Sequence, residues 1–583
     1  MQPLKERPID VWKTLINGPR NDFPRGPAPD SALLWRPWTL ALLLLACLAP
    51  RAIAAWNWDV LWSDSVHYLR ASVALEHGDL DRGFAEFGLN IFPLILIPLR
   101  HLGVDWQIAG KWFSVLMATC TVLPLWGWLR RMFDDRLALI ACLVYALHGK
   151  LIAISPLIVR DSTYWFLLVL TLYYFWRAVG ELRMRLFLAA GMALTLSIFT
   201  RTEGWLLLVP LLGWSAYRWW TAKYLPSPPA PLPRTGEGSC FWTGPKKRLQ
   251  AEGRPKAVGA TAGSVRIRLA AGILLCLAVV PATVTVLNCT WLREHPRWEF
   301  FRTAHLRIAV AWLNKTAKTN LPVPPEDVAP PEPPAVMLDQ YTPSGTLTFK
   351  FLERLAKACT WIGGLLLLTG LARGWRILLR PEHLALGCMN LLLLITSRIR
   401  YGTVGLDSRY FMPLVIVAIP WMALGLEGLV AAACHWFQRR AEVSPRALYA
   451  LAGGLIALAV VCSLVDGPLP AAACMRKHAA LGRWIYDRAG PEPAVAGNLD
   501  VLDTFYAHGH LVDFLTPGDC LLARMPAALA ERKADAVVLW NDEHLARERF
   551  AVIGERVADR CGYHRVDAKE LPAAENELMV FVR

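Results

Sequence analysis

Charge is what this chain has little of. Asp, Glu, Lys and Arg make up 19% of its 583 residues and 55% are hydrophobic, whereas a soluble domain carries about 25% charged residues. That shortage, with 26 Trp, excludes a soluble globular enzyme for most of the length and leaves a polytopic membrane protein. Paired cysteines are missing too. The 13 Cys are scattered singly, many inside apolar runs (Cys47, Cys120, Cys142, Cys276, Cys388, Cys462), with no CxxC and no Cys/His cluster. No zinc site or disulfide framework can be read from them. Cys474, Cys520 and Cys561 share a C-terminal soluble segment, which leaves one disulfide open in an oxidising compartment.

What the chain has is a series of long apolar runs. Taking roughly 17 to 25 predominantly apolar residues as one span, the runs fall near 38–56, 107–129, 137–156, 162–179, 186–200, 204–221, 269–288, 355–372, 383–397, 410–432 and 447–465. That predicts eleven transmembrane helices in a mainly α fold. The first run ends in small residues like a signal peptide, but 37 residues precede it and Arg51 interrupts its end. A retained anchor fits better.

The net charge of +15 fits this topology. With the N-terminal tail 1–37 (Lys5, Arg7, Lys13, Arg20, Arg25) in the cytoplasm, the inside loops receive Arg130, Arg131 and Arg136, then Arg177, Arg183 and Arg185. They also receive Lys246, Lys247 and Arg248, then Arg373, Arg376 and Arg380, and Arg439, Arg440 and Arg446. Every short inside loop is basic, as the positive-inside rule asks. The cations therefore read as topology signals rather than as a nucleic-acid surface.

The outside then receives residues 57–106, the turns at 156–161 and 200–204, a loop at 289–354, the turn at 398–409 and everything after 465. Residues 84–102 are apolar but interrupted by Pro93, Pro98 and Arg100, which predicts interfacial helices rather than a crossing. Residues 224–265 read as a disordered cytoplasmic linker, and LPVPPEDVAPPEPPA (321–335) as an extended proline-rich stretch. Past the spans, short runs such as PAVAGN and ADAVVLW alternate with the helical run CMRKHAALGRWIYDRAG. They predict a small extracytoplasmic α/β domain at 466–583. It carries no GxGxxG, P-loop or triad spacing, so its expected role is accessory.

Ionisable groups at a membrane boundary are costly unless they line a watery cavity or do chemistry. Four places on the outer face gather them: Asp64, His67, Tyr68 and Arg70; Arg160 and Asp161; Arg201 and Glu203; and Arg398, Arg400, Tyr401, Asp407, Arg409 and Tyr410. Together they suit a lipid-linked phosphate and a hydroxyl or amine acceptor. Arg presents a planar fork to phosphate oxygens and stays charged, and a carboxylate can take the acceptor proton. Any one of these residues taken alone could be snorkelling or capping a helix. That reading is weakest for Asp64, which lies beyond the span's end. The aromatic belt accounts for Tyr401 and Tyr410.

In order and spacing, DSVHY, SPLIVRDS, LSIFTRTEGWLLLVP and DSRYFMPLVIVAIP resemble the GT-C glycosyltransferases related to protein O-mannosyltransferases and the lipid A aminoarabinose transferase. The resemblance runs from about residue 38 to 435, within a GT-C-like domain spanning 38–465. It implies transfer of a sugar from a polyprenyl-phosphate donor to a glycan, lipid or protein acceptor, on the non-cytoplasmic face of the plasma (inner) membrane and with inversion. It also implies Asp64 as general base, Asp161 as a second acidic position, and Arg160, Arg201 and Arg409 at the donor phosphate. Tyr68, Glu203, Arg400 and Tyr410 become substrate-binding candidates. The chain departs from the family pattern at Thr202, where relatives carry Pro, and at Ser65, where relatives commonly carry a second acid. No metal or other cofactor is expected. A transporter or lipid flippase is the alternative, but it calls for mid-depth charges and internal repeats that the sequence does not offer. A third reading is an envelope scaffold worked by the C-terminal domain.

Overall fold

The computed structural model describes residues 37–85, 90–221, 262–290, 344–404 and 408–440. Beyond these it describes Gly454, 470–490, 493–497, 506, 510–514, 535–540, 564–567, 571 and 578–582. The predicted linker at 224–265 (save its last residues), the proline-rich stretch, most of the 289–354 loop, the 447–465 span, the N-terminal tail and Asp407 lie outside the described residues. So do the side chains of Arg400, Tyr401, Cys474, Cys520 and Cys561.

The membrane part is helical. In chain order it holds α1 (Pro37–Asn57), α2 (Ser63–Glu76), α3 (Leu80–Ala85), α4 (Ile91–His101), α5 (Trp106–Cys120), α6 (Val122–Met132) and α7 (Asp135–Leu147). After these come α8 (Gly149–Ile154), α9 (Asp161–Glu181), α10 (Met184–Thr200), a 3-10 segment (Thr202–Leu207), α11 (Leu208–Thr221) and α12 (Ala262–Thr290). The last group is α13 (Ser344–Cys359), α14 (Trp361–Leu378), α15 (Pro381–Val404), a second 3-10 segment (Ser408–Phe411) and α16 (Met412–Arg440).

Among the described residues four helices are long and apolar enough to cross a membrane: Trp38–Asn57, Trp106–Met132, Gly263–Leu287 and Ser408–Ala433. A fifth is added if Phe351–Cys359 and Trp361–Leu378, bent by 86°, count as one. Fewer helices pass than the eleven predicted, for local reasons. The 137–156 run breaks at His148 between α7 and α8, α10 has only 17 residues, and the 204–221 run begins in 3-10 geometry. The 355–372 run is cut at Thr360, which adopts φ +59°. Helix α4, with 11 residues, spans about 16 Å, too short for a hydrocarbon core of about 30 Å.

Side chains from distant helices close the ends of others. Arg51 is fully buried in α1 and donates to Cys47 O (2.9 Å), Ala146 O (2.8 Å) and Tyr145 O (3.2 Å). Two of these carbonyls end α7, where a helix has no N–H donors of its own left for them; Arg51 caps a neighbour rather than merely interrupting a span. Helix α16 is drawn against α14 through glycine. A Cβ on Gly370 would run into Trp421 O, and one on Gly425 into Leu366 O, so only glycine permits the approach. On the predicted inner side Glu181 gathers Arg177 (2.8 Å), Arg131 (3.1 Å) and Arg183 (3.4 Å).

After the bundle comes α17 (Pro470–Ala489), then strands β1 (Ala494–Gly497), β2 (His510–Phe514), β3 (Ala536–Trp540), β4 (His564–Arg565) and β5 (Leu578–Val582). The sheet order is β2-β1-β3-β5-β4, with β1 parallel to β2 and β3, and β5 antiparallel to β3 and β4. Leu481 and Ile485 of α17 pack on Val495, Val538 and Val580 of the sheet.

Candidate active site

Four turns bring the polar residues together. Asp64 lies in the first turn of α2, where the helix dipole favours a carboxylate. Asp161 opens α9 directly after Arg160. Arg201 ends α10 and Glu203 follows in the 3-10 segment. Arg409 and Tyr410 occupy the 3-10 turn before α16. The Arg201 turn is pressed onto α10: a Cβ on Gly204 would stand 2.7 Å from Ile198 N. This explains the glycine in FTRTEG without appeal to catalysis.

Two ion pairs organise the site. Arg201, 2% exposed, pairs through Nη1 with Asp161 and through Nη2 with Glu203 Oε1 at 3.0 Å, and its Nε donates to Glu203 Oε2 at 3.2 Å. Burial alone would lower its pKa, but the Asp161 and Glu203 carboxylates outweigh burial and raise it well above the usual value. Arg409 pairs through Nη2 with Asp64, the guanidinium being 8% exposed and the carboxylate 36%. Its Nε and Nη1 are buried and have no hydrogen-bond partner among the described residues. Tyr410 bridges the pairs, with Arg201 4.9 Å and Arg409 5.2 Å from its ring centroid. The aromatic-belt reading of Tyr410 is thereby corrected, since its ring lies between two cations.

Tyr68 marks the convergence. It is buried, edge-on to Phe92 at 5.3 Å. Burial pushes its phenol up, and Arg160, Asp161, Asp64 and Arg201 all act on it electrostatically. Arg409 in turn feels both Asp161 and Asp64. The sequence candidates Asp64, Tyr68, Arg160, Asp161, Arg201, Glu203, Arg409 and Tyr410 therefore form one cluster, while the Arg400 side chain is outside the described residues. Among the described residues no group of three or more His, Cys, Asp or Glu could hold a metal ion.

Sequence reasoning missed the residues that join the turns. Asn90 accepts from Phe92 N (2.9 Å) to start α4 and donates to Thr200 O (3.3 Å), next to Arg201. An Asn ahead of an apolar helix is a legible cap signal, but its second bond spans 110 residues and leaves no local trace. Ser65 is buried, and its hydroxyl has no partner among the described residues.

Residues 99–227 match the family described as dolichyl-phosphate-mannose-protein mannosyltransferase. No curated protein matches the chain by sequence. Among solved structures, ArnT from Cupriavidus metallidurans bound to undecaprenyl phosphate is similar at 14% identity with a TM-score of 0.53, covering 93% of this chain and 97% of that one. The archaeal oligosaccharyltransferase AglB from Archaeoglobus fulgidus, in complex with an inhibitory peptide and a dolichol-phosphate, is similar at 12% identity with a TM-score of 0.50, covering 90% and 71%. At these identities the structures speak for the fold. Over most of its length the chain thus shares the fold of these two membrane proteins, and over residues 99–227 its sequence is similar to the dolichyl-phosphate-mannose-protein mannosyltransferase family.

Proposed function

We propose that the protein is a glycosyltransferase that moves a monosaccharide from a polyprenyl-phosphate donor to a lipid, glycan or protein acceptor, with inversion at the anomeric carbon. The observation that carries this reading is Arg409, a buried cation with one nitrogen on Asp64 and two more without partners among the described residues. A group able to take a proton and a group able to take a phosphate are thereby one ion pair apart. The dolichol-phosphate and undecaprenyl phosphate bound in the two similar structures support the donor class.

The acceptor hydroxyl or amine attacks the anomeric carbon as the bond from that carbon to the phosphate oxygen breaks. The bonding pair leaves on the phosphate, and the acceptor proton passes to Asp64. Arg160 and Arg409 hold the phosphate and offset its growing charge. Phosphate arriving on Arg409 also loosens that residue's hold on Asp64 and frees the carboxylate to act as base. Arg201, whose fork is engaged by Asp161 and Glu203, serves the phosphate site by fixing its floor. Tyr68, Glu203, Arg400 and Tyr410 shape the substrate cavity.

The reading includes eleven spans over 38–465 with the N-terminus in the cytoplasm of a cell's inner membrane. The site and the domain at 466–583 then face outward. No observation favours the transporter alternative. In a transfer assay from a polyprenyl-phosphate-linked sugar, Asp64→Asn is expected to insert normally and lose at least about a hundredfold in turnover, the scale of a general base. Transfer at the wild-type rate would reject Asp64 as the base.

A further inference from the structure

Five residues, Trp58 to Trp62, join the first membrane helix to the helix that carries Asp64, and they are gripped from two sides. On the membrane side Lys111 of α5 donates to the Trp58 carbonyl. On the other side the Leu61 N–H donates to the Tyr506 hydroxyl at 3.0 Å, and Arg476 Nε reaches the two carboxylate oxygens of Asp59 at 3.0 and 3.2 Å. Both partners belong to the C-terminal domain. Tyr506 is itself buried, with Arg483 of α17 5.3 Å from its ring centroid. Ala479 of the same helix joins the apolar cluster that contains Trp58, Val60 and Leu61.

The two polar contacts differ in weight. Arg476 and Asp59 are 54% and 60% exposed, and an exposed ion pair contributes little. The Leu61–Tyr506 bond is buried, so removing the hydroxyl leaves an amide without its partner in a dry place. Burial raises the pKa of the Tyr506 phenol still further above neutral. What this bond fixes is transmitted along the chain. Trp62 is the N-cap of α2 without a side-chain cap bond, and its carbonyl takes the Ser65 N–H at 2.9 Å. The first turn of α2, and Asp64 with it, is placed by where residues 61 and 62 are held.

We propose that Tyr506 is a positioning residue for Asp64: the C-terminal domain sets the first turn of α2 against Arg409 by holding the Leu61 amide. The consequence for turnover rests on Asp64 being the acceptor base, while the geometric claim stands without it. This gives the C-terminal domain a direct part in the site rather than an accessory one.

The test is site-resolved hydrogen exchange on the full-length protein in lipid nanodiscs, comparing wild type with Tyr506→Phe, which keeps the ring and its packing. The expected result is about fivefold faster exchange at Leu61, the scale of one ordinary hydrogen bond. The increase should carry into Ser65 and Val66, with the β-sheet amides and melting temperature unchanged. An increase confined to Leu61, or spread over the whole C-terminal domain, overturns the proposal. In transfer, the variant is expected to lose turnover severalfold at an unchanged KM for the donor; a raised KM at unchanged turnover overturns it. The two readings fail separately. If Asp64→Asn keeps transfer while Tyr506→Phe loosens α2, the base assignment falls and the positioning stands; a silent α2 beside an inactive Asp64→Asn gives the reverse.

Discussion

Arg201 and Arg409 enter the site from similar places, each at a short 3-10 turn beside a bundle helix, yet their guanidinium groups are used in opposite ways. All three nitrogens of Arg201 are engaged by Asp161 and Glu203. Arg409 spends one nitrogen on Asp64 and keeps two unpartnered among the described residues. The difference extends to their acids, since the Asp161 side chain is 4% exposed and that of Asp64 is 36% exposed. A saturated buried fork builds the site, and an unsaturated one beside a reachable carboxylate is available to work in it. Two arginines that look alike in the sequence thus differ in what their forks can still bind.

Breaking the saturated side should have the largest effect on the fold. Arg201→Ala leaves two carboxylates facing each other in a buried place, and losing one partner of a buried pair costs about 3–5 kcal/mol. A sharp fall in the amount of folded protein in detergent, read by thermal unfolding, is expected. Arg201→Lys should restore little, because an ammonium cannot span both acids as the fork does. A melting temperature for Arg201→Ala equal to that of wild type would place Arg201 on the working side instead.

A smaller effect sharpens the contrast from the middle. Tyr410 stands between the two cations, and each cation–π contact contributes about 0.5–2 kcal/mol. Tyr410→Ala is expected to lower both the melting temperature and donor affinity modestly, whereas Tyr410→Phe, which keeps the ring, should lose neither. Equal losses in the two variants would assign the effect to the hydroxyl and break the bridge between the pairs.

Much of this could be read in the sequence because membranes constrain it. Scarce charge made the four polar turns visible against apolar runs, and the alternation of basic loops predicted that those turns share one side. Pairing was not legible. Nothing near Asp64 announces Arg409, 345 residues away, and Asp161 could equally have paired with its neighbour Arg160. The interruptions within the apolar runs were not legible either, since apolar composition does not show the break at His148 or the left-handed turn at Thr360. The grip of Tyr506 on Leu61 was invisible for a further reason: a tyrosine beyond the last span carries no signal of the backbone amide it meets.

The central claim is that the unsaturated fork takes the donor phosphate. It is tested most directly by the affinity of the full-length protein, in nanodiscs, for undecaprenyl phosphate, comparing wild type with Arg409→Ala at matched folding. With Asp64 already partly in water, the variant should remain folded. Loss of two charge-assisted donors should weaken binding by at least about tenfold. A folded Arg409→Ala protein that binds undecaprenyl phosphate as tightly as wild type would contradict the account.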